Sequence, residues 1–303
     1  MSSSPHLAPE AYRAILESLP AGVYLVDRDR RILFWNDGAE RLSGYFRHEV
    51  IGRRCADDFL MHCDEFNEAL CGSACPLVDT MHDGRPREAD LFLRHKNGQR
   101  VPVRVRSAPI RDEGGAVIGA CEYFDERVVF ISAGHRETVD LSPSLDEQTQ
   151  LPGRHALRKH LESLLVDFRA SGIPFGVLAI AIDNLEGLRA SGGNNVVGSV
   201  FYSAGQTFAK NVGIGNLVGR WSHTRFLATL AGCSAATLLS CAVRLKRLAG
   251  LAAVPWWGNR LSFSVSIGGS VVRDRDTADT IIQRACTRLD ACLEKGGNHA
   301  AVD

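Results

Sequence analysis

Two kinds of hydrophobic periodicity divide the 303-residue chain. Early on, the apolar residues of AYRAILESLP recur at helical spacing and stop at Pro20. GVYLVDRDRRILFWND then carries apolar runs on either side of a charged, solvated turn, DRDRR, which predicts two short strands. Further along, READLFLRHKNGQRVPVRVRSAPIRDEGGAVIGACEYFDE alternates apolar and polar positions through two turn signals, HKNGQ and DEGGA, and predicts a three-stranded antiparallel meander. The first half is therefore expected to be a five-stranded antiparallel sheet with helices inserted midway.

Past a polar, proline-bearing seam, RETVDLSPSLDEQTQ, the period changes. Helices are expected around RHALRKHLESLLVDFRAS, GSVFYSAGQTFAKNV, AATLLSCAVRLKRLAG and ADTIIQRACTRLDACLEKG. They alternate with a buried strand FGVLAIAID, a hairpin containing GRWSHTRF and a strand LSFSVSIGGSVV, a pattern that makes a mixed-sheet α/β sandwich. The fold class is thus α+β in the first half and α/β in the second. Domains are expected over 11–126 and 146–303, with a linker over 127–145. The linker has no sustained heptad pattern, so a coiled coil is not predicted there.

Charge narrows the function classes. Lys+Arg and Asp+Glu both number 35, for a formal net charge of zero. A nucleic-acid binder or a polybasic membrane anchor needs clustered positive charge. The N-terminal MSSSPHLAPE lacks a charged-then-apolar secretory pattern. The uncharged run from Phe226 to Val243 approaches the length of a membrane span but is broken by Gly232, Cys233 and Ser234, so a strand, a turn and a buried helix are expected. The reading is a cytoplasmic protein with neither a membrane span nor a nucleic-acid partner. In PWWGN, Trp256 and Trp257 are expected to pack over a hairpin.

Nine cysteines are unevenly spread, with Cys55, Cys63, Cys71 and Cys75 in the stretch CADDFLMHCDEFNEALCGSACPL. Cys71 and Cys75 share a face if their turn is helical, and Cys55 with His62 or Cys63 would complete a four-ligand set. Thiolate and imidazole ligands suit zinc or an iron–sulfur cluster. A thiol–disulfide redox switch and inert cysteines lining a small core fit the same spacing.

The landmarks of the second half resemble the GGDEF, or diguanylate cyclase, family. DEQTQLPGRHAL is similar to its DxLTGLPNRR opening, AIAIDNLEGL to DIDxFKxIN, SVSIGGS to its SIG strand and ACTRLDACLEKGGNH to its closing helix. GRWSHTRF stands where RYGGDEF belongs. The first half resembles a PAS sensor domain through GVYLVDRDRRILFWN, SGY, EVIGR and HKNGQRVPVRV.

The resemblance implies that two glycines let the backbone approach nucleotide phosphates and that an acidic pair serves metal ligation and acid–base chemistry. Here Ser222, His223, Thr224 and Arg225 precede Phe226, and Ala181 replaces the first aspartate of DID, leaving Asp183. Arg189 stands for the family asparagine, Ser199 near its guanine-reading aspartate, and Gly213-Ile214-Gly215-Asn216 for its inhibitory RxxD. The expectation is a degenerate GGDEF domain without catalytic residues. Arg225 could pair with Asp183 where a metal bridges in active relatives, but an arginine directed into solvent is the plainer expectation. His223 is expected to be an exposed loop histidine.

Some PAS domains ahead of GGDEF domains carry a Cys…His…Cys-x-x-x-Cys-Pro-Leu segment at this place. That resemblance implies Cys55, His62, Cys71 and Cys75 as ligands of zinc or an iron–sulfur cluster. The functional expectation is a sensor that relays a redox, metal or small-ligand signal to a protein partner, a homodimer also being compatible. A working diguanylate cyclase and a non-catalytic GTP receptor are the alternatives.

Overall fold

The computed structural model describes residues 8–57, 59–64, 68–127, 145–213, 215–256 and 259–303. Residues 128–144 of the expected linker, Ile214 and Trp257 lie outside them. The chain divides into two compact units, Met1–Lys96 with Val101–Arg127, and Asn97–Arg100 with Val128–Asp303.

The first unit contains α1 (Pro9–Ser18), β1 (Gly22–Asp27), β2 (Ile32–Trp35), α2 (Asp37–Ser43), α3 (Arg47–Val50), α4 (Leu70–Ser73), α5 (Pro76–Asp83), β3 (Arg87–Arg94), β4 (Arg100–Arg111) and β5 (Val117–Glu126). The sheet order is β2-β1-β5-β4-β3, so the first and last strands of the sequence motif pair centrally, antiparallel, with Tyr24 opposite Glu122. The sheet's inner face packs aromatic rings together: Tyr24, Trp35, Tyr45, Phe59 and Phe124 are all buried, with neighbouring centroids 5.4–6.4 Å apart.

Asn36, fully buried, fixes the corner between strand and helix. Its Oδ1 accepts the N–H groups of Val23 and Ala39, capping α2, while Nδ2 donates to the carbonyls of Leu16 and Ala21. Every hydrogen-bonding position of the amide is used, which is why a polar side chain is tolerated there.

The second unit contains α6 (Arg154–Ser171), β6 (Phe175–Ile182), α7 (Leu185–Asn211), β7 (Leu217–Arg220), β8 (Arg225–Ala231), α8 (Ala235–Leu251), β9 (Ala253–Trp256), β10 (Asn259–Ser262), β11 (Val265–Val271), α9 (Ala278–Glu294) and β12 (Ala300–Val302). The main sheet runs β12-β11-β6-β8-β7, with β11–β12 parallel and β6 antiparallel to both neighbours. All eight residues of β6 are buried, which explains its unbroken apolar run. Leu178, Ile180 and Ile182 face a core shared with α7 and α8; Val177, Ala179 and Ala181 face one shared with α6 and α9.

Two elements differ from expectation. LSFSVSIGGSVV is not one strand: it divides between β10 and β11, separated by Phe263 and Ser264. α7 starts well before the predicted helix and bends at Gly193, whose φ of 67° only a residue without Cβ takes up readily. The uncharged run is a strand, a turn at Gly232 and a helix capped by Ser234, as expected. Among the described residues no helix is long and apolar enough to cross a membrane. Trp256 packs against the α7–α8 core.

Candidate functional site

β7 and β8 form the hairpin that carries the quoted turn. Arg220 pairs with Phe226, and the N–H groups of Trp221 and Ser222 both donate to the Arg225 carbonyl, at 3.0 and 3.1 Å. None of residues 221–225 has a positive φ, so the turn uses ordinary L-residue backbone. Ser222, His223 and Thr224 are exposed. Beneath them the Arg220 guanidinium lies 3.5 Å from the Phe201 ring centroid and donates to the His223 carbonyl at 2.5 Å. Burial lowers its pKa, with Asp146 opposing. The turn is thus clamped from below by a stacked cation.

Arg225 departs from both sequence expectations. It neither reaches Asp183 nor points freely into solvent; its Nη2 lies 2.6 Å from Asp290 Oδ1 on α9. The sheet register explains the choice. Arg225 sits opposite Ala181 on β6, which offers no acceptor.

Asp183 is engaged elsewhere. Its Oδ2 accepts Ser264 Oγ at 2.7 Å and the Asn298 N–H at 2.9 Å, and its Oδ1 accepts Ser266 Oγ at 2.8 Å. The carboxylate therefore fastens the start of β11 to the α9–β12 turn. Ser199 and Arg189 lie on α7, and Ser199 Oγ donates to the Asn195 carbonyl.

In the first unit Cys55, His62 and Cys75 are buried and Cys71 is half-buried. Cys71 lies in α4 while Cys75 is the N-cap of α5, so the two do not share one helix. Pro76 accounts for the break, because the residue before proline is held out of the helical region. Arg30 links the segments: its carbonyl accepts the Cys55 N–H at 3.0 Å and its Nη1 donates to the Cys71 carbonyl at 3.2 Å. Cys63 exchanges both main-chain hydrogen bonds with Phe92 of β3.

The thiols form one electrostatic neighbourhood. Burial pushes the Cys55 pKa far up, reinforced by Glu122, Cys75 and Cys71 and opposed by Arg30. Burial pushes Cys71 to about 11, opposed by the main chain of His62. Cys75 is raised by burial too, against the Val78 main-chain N–H. Glu122 is the functional candidate that the sequence reading missed. It is fully buried, and Tyr24 Oη donates to its Oε1 at 2.7 Å. Burial raises its pKa to about 7, while the Tyr24 hydrogen bond pulls the other way.

As packed, no three His, Cys, Asp or Glu side chains among the described residues are arranged to hold a metal ion. The donor chemistry nonetheless suits a thiophilic ion, which displaces thiol protons on binding. Thiols protonated at neutral pH are slow nucleophiles, which weighs against a bare thiol–disulfide switch.

Comparisons with known proteins agree with these two architectures. The PAS domain family matches residues 20–126, and the family described as diguanylate cyclase, GGDEF domain, matches residues 144–299. No curated protein matches the chain. Among solved structures, diguanylate cyclase SiaD in complex with its activator SiaC, from Pseudomonas aeruginosa, is 19% identical with a TM-score of 0.52. That match covers 54% of this chain and 63% of the other, so the chain spans less than two thirds of that protein. The GGDEF domain of DgcB from Caulobacter crescentus, solved with c-di-GMP, is 14% identical with a TM-score of 0.51, covering 56% and 98%. The FimX GGDEF domain from Pseudomonas aeruginosa is 17% identical with a TM-score of 0.50, covering 53% and 99%. At these identities the likeness is one of fold. With its family match extending over half of its length, this chain belongs to the GGDEF, or diguanylate cyclase, family and carries a PAS domain ahead of the GGDEF domain.

Proposed function

We propose that this protein is a signalling relay: its PAS domain senses a redox, metal or small-ligand signal, and its GGDEF domain passes that signal to a protein partner without cyclase activity of its own. The observation that carries the reading is the cross-strand pair Ala181–Arg225. A methyl group and a cation occupy neighbouring positions where the family places acidic residues. Phosphoryl transfer needs a divalent ion to offset charge between the phosphates. Thr224 offers no carboxylate, and Asp183 has committed its oxygens to Ser264, Ser266 and Asn298. Ser222 and His223 also bring side chains to a turn that must otherwise approach phosphates with bare backbone.

Within the PAS domain, the aromatic packing of Tyr24, Trp35, Tyr45, Phe59 and Phe124 favours a signal entering at the cysteine cluster over a bulky ligand in the interior. Zinc or an iron–sulfur cluster is the proposed cofactor there. The complex of SiaD with its activator supports a protein partner for this chain, since a cyclase of related fold engages one.

The test is conversion of GTP with Mg²⁺, read as c-di-GMP by nucleotide chromatography. No product above a protein-free blank is expected. Product that disappears when Thr224 or Arg225 is changed would overturn the reading.

A further inference from the structure

α9 buries one face, Ile281, Ala285 and Leu289 among it, and turns another outward. Along the outer face Thr280, Arg284, Thr287, Arg288 and Ala291 recur at helical spacing. With Gln283 and with Asp303, the residue after β12, they line an open groove of about 640 Å³. Three guanidiniums converge on one carboxylate there: Arg273 Nη2, Arg284 Nε and Arg288 Nε stand 3.2, 3.8 and 4.0 Å from Asp303 Oδ2.

The three arginines are not equivalent. Arg284 is already matched: Asp276 takes its Nη1 and Nη2 at 2.6 and 2.7 Å, Ser270 Oγ accepts from Nε, and the Val271 carbonyl accepts from Nη2. That guanidinium is a fixed part of the wall. Arg273 and Arg288 are 61% and 52% exposed, and both approach Asp303. Two cations thus share one carboxylate, and they share it poorly. All three approaches are to Oδ2, while Oδ1 is buried without a hydrogen-bond partner among the described residues. The neighbouring acids do not change the balance. Asp279 pairs with Arg158 and Asp290 with Arg225, while Asp274 precedes Arg275 and Glu294 precedes Lys295. The groove therefore carries a surplus of positive charge.

We propose that this groove docks an acidic segment of a protein partner, one carboxylate of which takes over Arg273 and Arg288 from Asp303. The inference rests on the relay reading and gives it a surface. Asp303 is a placeholder that moves without unfolding anything: its main-chain N–H is held by the Gly269 carbonyl at 3.2 Å, so rotation of the side chain alone frees the arginines. An incoming carboxylate can meet a half-exposed guanidinium with two parallel hydrogen bonds, which are shorter and stronger than the approaches Asp303 makes. The shape favours a peptide over a small anion. From Thr280 to Ala291 the groove follows about 17 Å of helix, at about 1.5 Å per residue, and offers hydroxyls and an amide along the way. A phosphate, with three acceptor oxygens, needs donors on several sides at once, and Arg284 has committed its own to Asp276.

The experiment uses the full chain at low salt and reads the fluorescence anisotropy of labelled octaglutamate, with octalysine and a glycine–serine peptide of the same length as controls. Wild type is expected to bind octaglutamate and neither control, with affinity falling as salt rises. The double variant Arg273→Gln, Arg288→Gln, its fold checked by circular dichroism, should bind at least about tenfold more weakly. Asp303→Asn should bind several-fold more tightly, because the competing charge is gone, an effect that a purely structural carboxylate does not have. Failure of wild type to bind, or equal binding by the double variant, would sink the proposal. Weaker binding by Asp303→Asn would make Asp303 a strut rather than a placeholder and sink it as well. Release of the peptide by pyrophosphate at matched ionic strength would reassign the groove to a phosphate ligand. Turnover of GTP with Mg²⁺ is read on the same samples: c-di-GMP formed beside intact peptide binding would refute the relay reading and leave the groove standing.

Discussion

Arg225 Nη2 lies 2.6 Å from Asp290 Oδ1, joining the first residue of β8 to α9. The side chains are 29% and 49% exposed, so solvent screens the pair. Exposed pairs of this kind contribute up to about 1 kcal/mol. A double-mutant cycle of Arg225→Ala and Asp290→Asn in urea should give a coupling energy below that value. A coupling of about 2 kcal/mol or more would mean that the hairpin and α9 form one cooperative unit.

Restoring the turn alone should not restore chemistry. Ser222→Gly, His223→Gly, Thr224→Asp and Arg225→Glu together rebuild the hairpin, but Ala181 still offers no second carboxylate beside it. The quadruple variant is expected to form no c-di-GMP from GTP and Mg²⁺. Product should appear only when Ala181→Asp is added together with Arg189→Asn and Ser199→Asp on the guanine side. Turnover by the quadruple variant alone would show that metal ligation at position 181 is dispensable.

Gly297 is held where no side chain fits. Its φ is +79°, and a Cβ built there would stand 2.9 Å from Asp183 Cγ. Gly297→Ala must therefore strain the backbone or push Asp183 off Ser264, Ser266 and Asn298, at a cost of about 1–3 kcal/mol. Urea midpoints should report it. Asp183→Asn, which removes charge and leaves the turn backbone intact, should cost less than the alanine. The reverse order would place the energy in the carboxylate itself.

The predicted elements held where one period dominated. RHALRKHLESLLVDFRAS is α6 residue for residue, and FGVLAIAI is β6, because sustained 3.6 periodicity and a fully buried run are each hard to mistake. Pairing order was not legible: β1 meets β5 across 98 positions, and nothing local distinguishes that from a simple meander. Glu122 was legible in principle, since it is in phase with Ala120 and Phe124, but an acid shortly before Asp125 and Glu126 reads as part of a solvent-facing strand end. The Arg225–Asp290 bond depends on how α9 packs on the sheet, which no spacing within GRWSHTRF encodes.

Glu122 makes stability depend on pH. Its carboxyl pKa rises from the ordinary value to about 7 because burial disfavours the charge. The folded state thus holds this proton more tightly than the unfolded chain. The stability it confers is fully present below the ordinary carboxylate value and is lost as pH rises through about 7, a swing of order ~3 kcal/mol. Glu122→Gln has no proton to lose. In chelator-treated protein, which takes any bound ion out of the comparison, wild type should therefore lose melting temperature relative to Glu122→Gln between about pH 5 and about pH 8. The difference should be small at the acid end and grow through neutrality. A gap that stays constant across that range would mean the carboxyl is already ionised in the fold at pH 5, with a cation of the protein's own holding it so.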